Sequence, residues 1–250
     1  MKLANPFYRI ARPLNDQTSY VYGYNDEQSY IADNRYADDR LHLIRAYHII
    51  EQDFKKLLEY IEPSDANLPT FSFRTYELLL RASTEFEANA KGILIANGYN
   101  KSKLNIHDYH KLDQAMKLSE YELYINIWDT GIKTVKPFAD WAKGPSLSWY
   151  QAYNDVKHNR KSSFNQASFA NCLNAIGAVY CIVFAQFNMF LYTQYQHFPT
   201  GFVDSTNRLM SPVSDMLFST KVPHWPEADM YDFNWPQLRT TTSPFIQFQF

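Results

Sequence analysis

A long run without charged side chains is the feature that most constrains how this chain can fold. From Ser162 to Val203 the sequence contains no Asp, Glu, Lys or Arg. As a helix, the part CLNAIGAVYCIVFAQFNMFLY is long enough to span a bilayer, which takes about 20 apolar residues. We predict instead a central helix that other helices surround, because amides interrupt the run, and a membrane anchor is the alternative. These amides include Asn171, Asn174, Gln186, Asn188, Gln194 and Gln196.

Amphipathic segments upstream of this run predict the helices that surround it. Residues 37–61 carry apolar side chains at steps of three and four, and Pro63 follows them. Residues 73–97 repeat this pattern, and Asn97-Gly98 is a common helix stop. A shorter helix is predicted over 107–118, and a further one begins near Trp149. The fold class predicted from this order is all-α, an up-and-down helical bundle.

Two other segments lack the helical pattern of apolar residues. Residues 121–138, YELYINIWDTGIKTVKPF, alternate around Asp129-Thr130-Gly131, which predicts a small β-hairpin, although a helix running up to Trp128 is the alternative. Six of the twelve prolines fall in residues 198–250, which predicts an irregular extension with strand candidates at DMLFSTKVP and PFIQFQF. The predicted domains are an irregular N-terminal segment, 1–36, with a short strand around SYVYGY, the bundle, 37–197, and the extension, 198–250.

Composition excludes several functional classes. The net charge of −2 and the pI near 6.4 give no general basic field for nucleic acid, so such binding needs a local patch. Glycine is scarce, and neither a GxGxxG nor a GxxxxGK[ST] pattern occurs, so we predict no cofactor. Cys172 and Cys181 lie on opposite faces of one helix and cannot pair within it. With no apolar signal core at the start, the chain is predicted to be cytoplasmic.

The segment SWYQAYNDVKHNRKSS, residues 148–163, contains most of the polar side chains that are candidates for a functional site. On a helix Tyr150, Asn154 and His158 form one row, and Lys157 lies beside it. A histidine next to cations and an amide suits phosphodiester cleavage, because it can move the proton of a ribose 2′-hydroxyl while a cation stabilises the phosphorane. The alternative is an ordinary helix C-terminus, where cations complement the helix dipole.

Two further patterns are candidates for functional sites. His107 and His110 lie on one side of a helix and could bridge a metal ion, but no third ligand is near in the sequence, so we predict no metal site. On the second helix Glu87 flanks the apolar stripe, so it either belongs to a solvated ion-paired face or turns inward to hold a cation from another helix.

The motif YNDVKH, Tyr153 to His158, resembles the signature of the HEPN superfamily, helical-bundle domains common in prokaryotic defence and toxin systems. That signature is often R-N-x-x-x-H, and Asn154 and His158 match it. The stretch EFEANAK, residues 85–91, resembles the second helix of such domains, which often carries an acidic residue facing the motif. The resemblance covers residues 37–197.

The resemblance implies a metal-independent ribonuclease whose site forms across a homodimer through the motif helix. The family's arginine falls on Tyr153, so Lys157 or Arg160 has to supply the phosphate-binding cation. In another subgroup a tyrosine two residues after the histidine is modified by a partner nucleotidyltransferase. Here that position is Arg160, so this modification is not supported.

Two hypotheses follow: a HEPN-like ribonuclease that acts on RNA, or a catalytically degenerate module of the same fold that binds a nucleotide, RNA or a partner protein. A membrane partner is not expected. The predicted catalytic residues are His158, Lys157, Arg160 and Asn154, and the predicted binding residues are Tyr153, Tyr150, Glu87 and Lys161.

Overall fold

The computed structural model describes residues 3–15, 28–192, 202–203, 208–210 and 216–250. The helices of this part of the chain are α1 (Arg40–Leu57), α2 (Phe73–Ala96), α3 (Ile106–Tyr109), α4 (Leu112–Met116), α5 (Ser148–Ser163), α6 (Phe169–Phe187) and α7 (Trp235–Leu238). Its strands are β1 (Glu122–Trp128), β2 (Gly131–Val135), β3 (Phe202–Val203), β4 (Arg208–Met210) and β5 (Ser219–Lys221).

The prediction of an all-α fold is wrong, because the protein is a mixed α/β structure that is mostly helical. An antiparallel sheet with strand order β2-β1-β5-β4-β3 packs with the helices. Three of its strands come from the segment after residue 198, which the sequence pattern predicted to be irregular. A strand of two or three residues has too few positions to show a period of two, so only the strand candidate at DMLFSTKVP pointed to β5.

The predicted hairpin within residues 121–138 forms one side of this sheet, with β2 as an edge strand. Leu123 pairs with Val135 on one side and with Thr220 of β5 on the other. Leu123 and Ile125 are buried, while Ile127 is 56% exposed, because the ladder shifts register beyond Ile125. Gly131, with φ of 107°, makes the turn in a conformation that residues with a Cβ rarely adopt.

Helix α6 lies at the centre of the protein, as the charge-free run predicts. It packs against α1, α2 and α5, and Leu123 and Val135 of the sheet lie against another face. At that face Gly177 lets Leu123 approach so closely that a Cβ would lie 3.0 Å from its side chain. The side-chain nitrogen of Gln186 donates to Asn89 of α2 at 2.7 Å, so this buried amide has a donor bond to a neighbouring helix.

The membrane alternative for this helix is not supported. Among the described residues, Phe169–Leu191 is the one helix that is long and apolar enough to cross a bilayer. The rest of the chain buries 94% of its most apolar window, so lipid has no access to it. This burial is expected of the core helix of a soluble protein.

The N-terminal and C-terminal segments pack against each other beside the bundle. Leu3 and Leu14 each form a parallel bridge with Tyr231, and Phe7 forms one with Ile246. The tail therefore docks on the same chain, and the terminal PFIQFQF contributes a single bridge where a strand was predicted. The strand predicted around SYVYGY lies outside the described residues.

Candidate functional site

Helix α5 carries the predicted site, and its first three turns are anchored in the core. Trp149 is 1% exposed, and its indole nitrogen donates to the carbonyl of Pro137 at 2.9 Å. Tyr150, Tyr153 and Val156 continue this buried face at helical spacing. The rotation of α5 about its axis is therefore fixed by apolar packing, which also decides where its polar side chains point.

The regular helix breaks immediately after the predicted catalytic histidine. Asn159 has φ of −142° and ψ of 60°, outside the helical region, so residues 160–163 form a separate turn. Arg160 and Lys161 follow the break. Arg160 lies over the rings of Phe73 and Tyr76 of α2, with its guanidinium carbon 5.8 and 5.6 Å from their centroids. The break therefore separates Arg160 from the row that contains His158.

Glu87 faces α5, as one reading of the sequence predicted, but it meets a phenol and not a cation. The hydroxyl of Tyr150 donates to Oε1 of Glu87 at 2.6 Å. Burial, and then this hydrogen bond to a carboxylate, raise the pKa of Tyr150 far above its ordinary value. The phenol therefore keeps its proton, and the pair ties α2 to α5.

One turn further along α5, Tyr153 and Lys157 form a second pair. Nζ of Lys157 donates to the Tyr153 hydroxyl at 2.8 Å and lies 4.8 Å from the centre of its ring. This hydrogen bond is the main reason that the pKa of Lys157 is raised, with a smaller contribution from Glu87. Lys157 is thus held as an ammonium ion at the end of a buried tyrosine, on the surface of the protein.

Tyr109 joins this group, and sequence reasoning missed it. Its ring contacts Phe86, which also contacts the ring of Tyr150. Burial, followed by the negative charges of Glu87 and Asp108, raises the pKa of Tyr109 to about 12. The short helix α3 brings this residue in from a distant part of the sequence, so no local spacing could have indicated it.

The remaining predicted residues are on the surface. His158, Arg160 and Lys161 are exposed, and Asn154 is half-buried. Among the described residues no side chain bonds the imidazole of His158. The predicted row therefore runs from the interior, where Tyr150 meets Glu87, to solvent, where His158 is free to contact a ligand.

The remaining sequence candidate is the histidine pair His107 and His110. Nε2 of His110 lies 3.0 Å from the carbonyl of Trp141, and its ring packs against the indole, so it does not share a site with His107. Across the described ranges, no group of three His, Cys, Asp or Glu side chains could hold a metal ion.

A groove of about 550 Å³ lies elsewhere, between α1 and α2. Asp53 and Arg81, which line it, are paired at 2.6 Å. None of the predicted site residues lines this groove, so the charges of the groove and the chemistry of α5 are separate features of the surface.

Comparison of the chain with protein-family models, with curated proteins and with solved structures finds no match.

Proposed function

We propose that the chain is a HEPN-like, cytoplasmic, metal-independent endoribonuclease of a prokaryotic defence or toxin type system. The observation that carries the proposal is the position of the Lys157 ammonium group, 2.8 Å from the hydroxyl of Tyr153. Tyr153 stands where the family signature has its arginine. Lys157 therefore brings a positive charge to the outer end of the side chain that replaces that arginine.

The proposed roles follow from this placement. His158 removes the proton of a ribose 2′-hydroxyl, the 2′-oxygen attacks the adjacent phosphorus, and the 5′-oxygen leaves and takes up a proton. Lys157 stabilises the charge on the phosphorane, as a point charge and not as the bidentate fork of an arginine. Asn154 orients the phosphate, and Glu87 acts as a positioning residue because it holds Tyr150 and thereby α5.

The direct test is incubation of several RNAs with the protein in excess EDTA. Cleavage by the wild type is expected, with a loss of roughly 100- to 10,000-fold in rate for His158→Ala, the range typical of general acid–base groups. His107→Ala is the matched control, because His107 is also exposed and lies outside the site. Intact RNA in a folded wild-type preparation contradicts the proposal, and so does equal loss in the two variants.

A binding module without catalysis is the second candidate function. It is supported by the free imidazole of His158, since among the described side chains no carboxylate orients it as a carboxylate orients the base of many hydrolytic sites. In this case the wild type leaves RNA intact, and His158→Ala weakens binding of RNA, of a nucleotide or of a partner protein. Equal binding by His158→Ala and wild type contradicts this second function.

The proposal includes a homodimer joined through α5, so that two copies of the motif share one site. Sedimentation equilibrium of the wild type measures this directly. A monomer at concentrations where RNA is cleaved separates activity from dimerisation and removes the shared site from the proposal.

A further inference from the structure

Next to the end of α5 lies a cluster of aromatic rings, which we name the aromatic platform: the exposed Phe71 and Phe73 and the half-buried Tyr76 and Phe164. The ring of Phe164 lies 4.9 Å from that of Phe73, 5.5 Å from that of Phe71 and 6.0 Å from that of Tyr76. Phe73 is 61% exposed and Phe71 is 47% exposed, and they are the exposed phenylalanines of the described residues. Exposed apolar side chains that are contiguous, and not scattered singly, favour an interaction surface.

Backbone hydrogen bonds hold this platform in place on both sides. Phe71 forms an antiparallel bridge with Ser168, and the amide of Phe169 donates to the carbonyl of Thr70 at 2.7 Å. Ser72 caps α2 in a reciprocal arrangement with Thr75. The platform therefore lies on a fixed surface where α2 and α6 begin, and binding there costs little ordering of the backbone.

The charge around the platform is positive. Arg160 lies over two of its rings, and Lys161 follows it on the surface. After Asp155 the sequence has no carboxylate before Asp204. The nearby carboxylate of Glu77 already pairs with Arg74 at 2.9 Å. Within the described part of the chain, Arg160 and Lys161 form no ion pair, so their charges are available to phosphate groups.

We infer that the aromatic platform binds unpaired bases of single-stranded RNA by stacking, with Arg160 and Lys161 contacting the phosphates. Rings combined with a positively charged track are the general means of binding single strands, because every base has a π-face and every nucleotide a phosphate. The inference rests on the proposed function for its choice of RNA, and it adds that the RNA is unpaired where it meets the protein.

An apolar protein partner fits this surface less well. Covering the platform with an apolar surface would remove Arg160 and Lys161 from water without supplying partners for their charges, which is costly. A strand of RNA avoids this cost, since its bases cover the rings while its phosphates pair with Arg160 and Lys161.

The test is fluorescence anisotropy with a labelled single-stranded RNA of about ten nucleotides, in the His158→Ala background so that the probe stays intact. Phe73→Ser is expected to weaken binding by roughly 5- to 100-fold, the equivalent of one lost stack. Arg160→Gln is expected to weaken it and to reduce the slope of log affinity against log salt by about one. Tyr60→Ser is the control, because Tyr60 is 85% exposed and outside the platform.

Each outcome separates this inference from the proposed ribonuclease. Intact RNA with wild type, together with binding that depends on Phe73, removes the catalysis and keeps the platform. Cleavage by wild type, together with full binding by Phe73→Ser, keeps the catalysis and overturns the platform. Equal affinity for the same sequence in a duplex overturns the inference about the platform. It is also overturned if Phe73→Ser changes the sedimentation of the protein but not its affinity for RNA.

Discussion

The two halves of α5 differ in residue type and have opposite surroundings. From Trp149 to Val156 the helix is packed into the core, and its phenols are bonded to Glu87 and Lys157. Beyond the break at Asn159 the side chains of Arg160, Lys161 and Ser162 are exposed; Arg160 lies over aromatic rings, and the Ser162 hydroxyl donates to the carbonyl of Asn159 at 3.4 Å. The first half therefore positions the solvent end of the helix, where Lys157, His158 and the residues beyond the break are exposed to a ligand.

The largest expected effect on stability comes from removing a ring in the buried half of α5. Trp149→Ala is expected to lower the free energy of unfolding by about 3–5 kcal/mol, through the cavity it leaves and the lost hydrogen bond to Pro137. Urea denaturation followed by far-UV circular dichroism measures this. His158→Ala is expected to cost less than about 0.5 kcal/mol, because His158 is exposed. Equal destabilisation by the two variants would contradict the contrast between the two halves.

A smaller change is expected at the link between the helices. Tyr150→Phe removes the donor to Glu87 and is expected to cost about 1–3 kcal/mol, because a partly buried carboxylate loses its hydrogen bond. Chemical denaturation at neutral pH measures the loss. Tyr60→Phe, at an exposed tyrosine with no such bond, serves as the control and should leave stability unchanged.

The same pair predicts a pH dependence at the alkaline end. The folded pKa of Tyr150 is raised above its unfolded value, so its contribution to stability is complete below about pH 10 and is lost as the pH rises further. The free energy of unfolding should therefore fall above about pH 10, and less steeply in Tyr150→Phe than in wild type. Equal slopes for the two proteins would show that the folded protein does not keep this phenol protonated.

Next in size is the pair that carries the proposed function. Tyr153→Phe keeps the ring but removes the acceptor for Lys157, at an expected cost of about 0.5–1.5 kcal/mol. Without this hydrogen bond the raised pKa of Lys157 should fall, which NMR titration of the lysine amines can follow. Lys157 remains an ammonium ion at neutral pH but loses the bond that fixes its position, so RNA cleavage should fall if Lys157 supplies the phosphate charge. Unchanged cleavage assigns that role elsewhere.

The smallest effect on stability is expected at the solvent end of the helix. Lys161→Gln should change the free energy of unfolding by less than about 0.5 kcal/mol, since Lys161 is exposed and has no partner among the described residues. Its effect should appear in RNA binding alone, as a lower salt dependence. A large loss of stability would show that the exposed half of α5 supports the fold.

Much of the helical framework could be predicted because it depends on local patterns. The apolar stripes of α1 and α2 and the hairpin turn at Gly131 are visible in short windows of sequence. The five-stranded sheet could not be predicted as a whole, because β3 and β4 are too short to show a pattern of their own. They are strands because β5, paired with β1, offers its other edge to β4, and β4 offers its own to β3, which only the folded sheet provides.

The candidate site divides in the same way. The sequence by itself determined that Asn154 and His158 share a helix face, and that Tyr153 and Lys157 lie one turn apart, because helix geometry sets these distances. Only the tertiary structure decided that Glu87 meets the phenol of Tyr150, that Tyr109 joins them, and that Phe73 and Phe164 form a platform beneath Arg160. These contacts join residues far apart in the chain, and packing around α6 brings them together.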